Sequence, residues 1–146
     1  MFRVETKHWD HHDNVIGKIH LPPDIKHTDL IGAKSETNYR RPKSIFIGAH
    51  MANETSTLME YNENCFAIRK ETTTPDVPFG SKFIALTQIV VLNMGHGTCK
   101  MICSSEAEFP NGVPLGAGWQ IKNAMKVGTF ETFGKINDAI QSACFQ

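Results

Sequence analysis

The sequence has no net charge: 15 Lys and Arg offset 15 Asp and Glu over 146 residues. That excludes a nucleic-acid partner held by bulk charge, though a local patch stays open. Long apolar runs are missing too. The most apolar stretch, FIALTQIVVLNM at residues 83–94, has 12 residues and contains Thr87, Gln88 and Asn93. A membrane-spanning helix needs about 20 apolar residues, so none is encoded. The opening residues, MFRVETKHWDHHD, hold no apolar run and do not read as a secretory signal. A cytoplasmic location is the expectation, and the Asn53-Glu54-Thr55 sequon is then expected to stay unused.

Catalytic and metal motifs are equally scarce. There is no CxxC, HExxH or GxSxG. Ser104-Ser105 lies on a strand candidate with no histidine beside it, and Glu106 and Glu108 fall on a polar, solvated face. No residue set combines acid, base and electrophile, so no enzyme is expected. Gly112, Gly116, Ala117 and Gly118 sit between a strand and a helix. They lack the Gly-Lys-Ser/Thr ending of a phosphate loop, and no βαβ unit surrounds them. The run His8-Trp9-Asp10-His11-His12-Asp13 is the one metal-like cluster, since His8 and His12 would share a helix face. Nothing nearby forms HExxH and no CxxC pair supplies a thiolate site, so a solvated start of a strand anchored by Trp9 is the plainer reading. No metal and no cofactor are expected. Cysteine is used four times, at 65, 99, 103 and 144. Cys99 and Cys103 on one strand stand about 13 Å apart, too far for a disulfide. Reduced, buried thiols are expected.

What is present has one domain's length, residues 1–146. Strand signals fall at 14–21, at Lys34 to Arg40, at Ser44 to Met51 and at 65–71, with a turn and part of a strand over 52–64. Residues 72–80, TTTPDVPFG, form a turn. Its prolines hold Thr74 and Val77 extended, Asp76 caps it, and Gly80 takes positive φ. A long strand, Phe83 to Met94, is apolar on both faces, so both are expected to be covered. Gly95-His96-Gly97 is a hairpin signal. The partner strand, 98–109, puts Cys99, Met101, Cys103, Ala107 and Phe109 on one face and Lys100, Ser104, Glu106 and Glu108 on the other. Ile102 breaks the polar side. After the loop 110–118, a helix from Trp119 to Cys144 carries the stripe Ile121, Met125, Phe133, Ile136, Ile140 and Cys144. Gly128 and Gly134 suggest close packing or a kink there. The sum is an α+β fold, an antiparallel sheet with a long C-terminal helix lying across it.

The segment TPDVPFGSKF, residues 74–83, resembles the VASt domain, a START-like sterol-binding module. Ile31-Gly32-Ala33-Lys34 is similar to the family's "IGPK" step, with Ala33 in place of proline. Trp9 with Leu21-Pro22-Pro23, and Ile121-Lys122 with Lys126 and Gly128, resemble two further family segments in the same order. Two departures stand out: only eight residues precede Trp9, so the expectation is that the family's N-terminal helix is lacking or that the chain is a shortened form, and residues 42–63 are longer than usual. The missing helix would leave apolar surface for dimerisation or strand exchange to cover.

The resemblance implies a START-like helix-grip fold that binds a sterol or other lipid in an apolar cavity between sheet and helix and moves it between membranes. Residues suited to that lining are Ile89, Val91, Met101, Cys103 and Phe109 on the strands and Met125, Phe133 and Ile136 on the helix. Such stripes are more often plain core, and the cavity reading comes from the resemblance rather than from periodicity. The tip Val77-Pro78-Phe79, near Lys82, suits a transient membrane contact, and a buried turn anchor is its plainer reading. Arg40, Arg41 and Lys43 suit anionic lipid or a solvated sheet edge. Two alternatives stay open: a cavity-less interaction or self-associating (homodimeric) module of the same fold, and a small metal-dependent protein using His8 and His12.

Overall fold

The computed structural model describes residues 30–43 and 47–144, without the side chains of Ile140, Gln141, Ala143 and Cys144. The strand expected at 14–21, the residues Trp9 and Leu21-Pro22-Pro23, and the cluster at His8 and His12 lie outside the described residues. Five strands are followed by one helix: β1 (Lys34–Arg41), β2 (His50–Tyr61), β3 (Cys65–Thr73), β4 (Ile84–Gly95), β5 (Thr98–Glu108) and α1 (Gly118–Cys144). The strands form one curved antiparallel sheet in chain order, each paired with the next, and α1 packs against β5. This is the α+β, START-like helix-grip layout expected from the sequence.

Turn chemistry sets the order. Leu30 accepts from Ala33 N–H (2.9 Å) across a tight turn, and Gly32 supplies its left-handed residue at φ 87°. The IGAK step is therefore the turn that feeds β1. The β4–β5 hairpin turns on His96 and Gly97, both at positive φ (53° and 74°), as a primed turn requires.

Several expectations change. The strand expected from Ser44 begins at His50; residues 47–49 are bend or coil, and 44–46 lie outside the described residues. The segment 52–64 is not a turn with part of a strand. It continues β2 to Tyr61, and only residues 62–64 turn. Thr55, Thr57 and Tyr61 suit a pleated strand despite the polar composition. A bulge between Leu58 and Glu60 leaves Met59 exposed. In the 74–82 turn the left-handed residue is Phe79 (φ 62°), not Gly80. Gly80 is required for space instead: a Cβ there would collide with the Thr74 carbonyl. Asp76 does not cap its own turn but accepts from Met51 N–H (3.4 Å) at the start of β2.

Central β4 is half-buried along both faces and fully covered on neither. Among the described elements only α1 packs on the sheet, so the side chains of β3 and β5 supply the remaining cover. Cys65, Cys99 and Cys103 are free thiols, as expected, but Cys99 is exposed because it follows the hairpin directly. Neither Gly128 nor Gly134 is closely packed: a Cβ at either would meet nothing within 4 Å.

Gly80→Ala should destabilise the fold by roughly 2 kcal/mol or more, because a backbone carbonyl must move. Gly134→Ala on the open side of α1 should stabilise it by up to about 1 kcal/mol. Thermal unfolding followed by circular dichroism reads both, and opposite shifts in Tm are expected.

Candidate lipid-binding face

Directly paired residues of an antiparallel sheet share a face, so the register assembles the site. Ile89 pairs with Cys103 and Val91 with Met101. On the other side of β4, Ile68 pairs with Ile89 and Phe66 with Val91. These six side chains form one contiguous apolar patch, all half-buried. Four of them, Ile89, Val91, Met101 and Cys103, are residues that the sequence marked; Phe66 and Ile68 are additions. This is the more covered face of β5, where Met101, Cys103 and Ala107 are half-buried while Lys100, Ile102, Ser104 and Glu106 are exposed. Burial pushes the Cys103 thiol pKa up, in keeping with an apolar setting.

Phe109 has the same parity but lies just past the end of β5. Its ring meets Phe83, with centroids 6.3 Å apart. It closes the opposite end of the strand from Met101, about 27 Å away at the strand rise. On α1, Ile121 is buried and Met125, Phe133 and Ile136 are half-buried. Val77 is buried and anchors its turn, whereas Phe79 and Lys82 are exposed.

The same face carries a polar cluster that the sequence reading did not mark. Register places Tyr39, Glu54, Ser56, Lys70 and Thr72 on the side of Ile68 and Ile89. Glu54 is the hub. Its Oε1 accepts from Lys70 Nζ (2.8 Å) and Ser56 Oγ (3.3 Å), and its Oε2 accepts from the Tyr39 hydroxyl (3.1 Å) and Thr72 Oγ1 (3.4 Å). The Glu54 side chain is 13% exposed and that of Lys70 31%. Burial pushes the Glu54 carboxyl up, but the charge and hydrogen bond of Lys70, with those of the hydroxyls, outweigh it and hold the group below its ordinary 4.5. Burial, then the Glu54 charge, push Tyr39 up to about 12.

The opposite face differs. It has a shallow depression of about 190 Å³, walled by Glu36, Asn38, Asn53, Glu54, Thr55, Glu71 and Thr73, with Ile84 as its one large apolar side chain. Such a polar wall is no apolar lipid site. No group of three or more His, Cys, Asp and Glu that could hold a metal occurs among the described residues.

A family model, the VAD1 Analog of StAR-related lipid transfer domain (VASt), matches residues 2–129. The chain belongs to the VASt family. No curated protein matches it. The VASt fold is a START-like lipid-binding module, and the family is one of binding domains rather than enzymes. The half-buried apolar patch of this VASt domain, bordered by a charge-neutral polar cluster, can receive a molecule with a large apolar body and a small polar head. Among the described residues no helix is long and apolar enough to cross a membrane.

The cluster makes stability depend on pH at both extremes. Glu54 contributes stability in full above its ordinary value of 4.5, and that contribution should fade as the pH falls below it. Tyr39 acts at the alkaline end: the unfolded chain ionises near 10 and the folded chain near 12, so stability should fall as pH rises between them. An ultraviolet titration should show one phenol ionising near 12. Lys70→Met should cost roughly 1–2 kcal/mol, less than a fully buried pair because Lys70 is partly solvated. The same change should raise the Glu54 pKa, readable by NMR.

Proposed function

We propose that this VASt domain is a non-enzymatic binder of one lipid, with a sterol as its preferred ligand, that carries it between membranes. The single observation behind this reading is the continuity of two zones on one sheet face. Phe66, Ile68, Ile89, Val91, Met101 and Cys103 supply the apolar zone, and the Tyr39–Glu54–Lys70 cluster borders it. Each buried CH₂ of a ligand gains about 0.8 kcal/mol, so a sterol skeleton is driven onto the apolar zone. Lys70 is already neutralised by Glu54 at 2.8 Å, which favours an uncharged hydroxyl over an anionic phosphate as the head. Phe109, Met125, Phe133 and Ile136 complete the lining from the far strand end and the helix. Phe79 and Lys82, on the turn before β4, are the membrane-side contacts in this reading. Desolvation alone drives the exchange, without cofactor or covalent step.

Binding of a fluorescent sterol by the purified chain, with unlabelled sterol and phospholipid as competitors, tests the reading. Saturable binding displaced by sterol and not by phospholipid is expected. Met101→Arg puts a charge on the apolar zone and should abolish binding; normal binding by a folded variant would refute the choice of face. No binding by the folded wild type would favour the interaction module, and its molar mass would show self-association.

A further inference from the structure

The family match stops at residue 129, and the β5–α1 junction before it is unusual among the described residues. Four of the exposed large apolar side chains fall within eighteen residues: Val113 (57%), Leu115 (104%), Trp119 (76%) and Phe130 (71%). Clustered exposure of this kind is the informative case, since isolated exposed apolar residues are ordinary. Between Phe109 and Phe130 the only ionisable residues are Lys122 and Lys126. Trp119, Lys122, Lys126 and Phe130 recur at spacings of three, four and four on α1, and all are exposed.

The loop that presents Leu115 is built. Gly112 N–H bonds to Phe109 C=O (3.1 Å), and Ala117 N–H bonds to Pro114 C=O (3.1 Å). Gly116, at φ 76°, occupies the third place of the second turn, where only glycine is at ease. Ala117 is buried beneath it. Val113 leans on Gly118, where a Cβ would collide with its methyl group. Leu115 is thus held out into solvent by two hydrogen-bonded turns and a buried base.

Topology adds a second apolar point. Ile84 pairs with Glu108, so the turn before β4 and the loop after β5 leave the same end of the sheet. Phe83 and Phe109 touch at their common base. Exposed Phe79 and Lys82 therefore belong to the end that presents Leu115 and Trp119. Asp76 and Glu108 are the acids of these two segments. Asp76 is engaged with Met51 N–H, and Glu108 is on the strand rather than the loop.

We propose that the β5–α1 loop and the adjoining outer stripe of α1 (Leu115, Trp119, Lys122, Lys126) dock this domain on an anionic lipid bilayer. Leu115 and Trp119 enter the interface, and the two lysines meet the lipid phosphates. An apolar tip beside cations, with no acid in the loop, matches that surface in both polarity and sign. The assignment rests on the lipid-binding reading, for which it supplies the membrane-facing end.

Flotation of the full chain with phosphatidylcholine vesicles, with and without phosphatidylserine, tests it. Binding is expected to require phosphatidylserine and to weaken with salt. Leu115→Asp should weaken it about tenfold or more, and Lys122→Glu with Lys126→Glu about fivefold for each charge. Brominated lipid should quench a tryptophan signal that Trp119→Phe removes. Leu115 is fully solvated, so Leu115→Asp should keep the wild-type circular dichroism and melting temperature. Undiminished flotation of folded Leu115→Asp would overturn the proposal. So would a wild-type dimer that Leu115→Asp converts to monomer, which would assign the patch to a second copy. Fluorescent-sterol binding without vesicles separates the two claims: Leu115→Asp should bind sterol normally. Flotation by a chain that binds no sterol would sink the lipid-cavity reading and leave the docking surface standing.

Discussion

Everything in this fold depends on the register of the three strands β3, β4 and β5. Side chains alternate with period two, so a one-residue slip would send Ile89 and Val91 to the outer face and bring Val90 and Leu92 in. The register that places Ile68, Ile89 and Cys103 in one row is fixed from both sides of β4. At one end the His96–Gly97 turn admits only a tight hairpin. At the other, the packed 74–82 turn, with Thr74, Val77 and Gly80 buried, sets where β4 begins. The apolar row is held by turn chemistry as much as by its own hydrophobicity.

A polar hub beside an apolar patch on the same face looks like a cost. Burying an unpaired carboxylate would be one. Here Glu54 has four donors, one of them cationic, so its burial is offset and its charge kept. The cluster spans β1, β2 and β3, and links the edge strand of the sheet to its middle. It also divides the face into a charge-neutral zone and an apolar zone, a division that a wholly hydrocarbon face would not provide.

Much of the fold was legible because its signals are local. The DVP turn, the Gly95-His96-Gly97 hairpin and the alternation of β5 each lie within a dozen or so residues, and the helix stripe repeats at short spacings along one element. Ile89, Val91, Met101 and Cys103 were legible as one apolar patch because hairpin-linked strands bring near sequence neighbours together. The Tyr39–Glu54–Lys70 cluster was not, because its partners are 15 and 16 residues apart and meet only once the register of three strands is known. Asn53-Glu54-Thr55 reads as a sequon or a turn until β2 is seen to run through it. Gly80 was marked for its freedom in φ, yet its need is steric, and the Thr74 carbonyl behind that need is invisible in a sequence. In the β5–α1 loop the sequence shows only glycines without a phosphate-loop ending; that they hold Leu115 outward emerges with the turns around it.

Photo-crosslinking with a diazirine sterol, mapped residue by residue by tandem mass spectrometry, tests the central claim most directly. The account predicts adducts on inward residues such as Ile68, Ile89, Val91, Met101 and Cys103, displaced by unlabelled sterol. Adducts confined to the outward set, such as Leu86, Val90, Leu92 and Ile102, would contradict it.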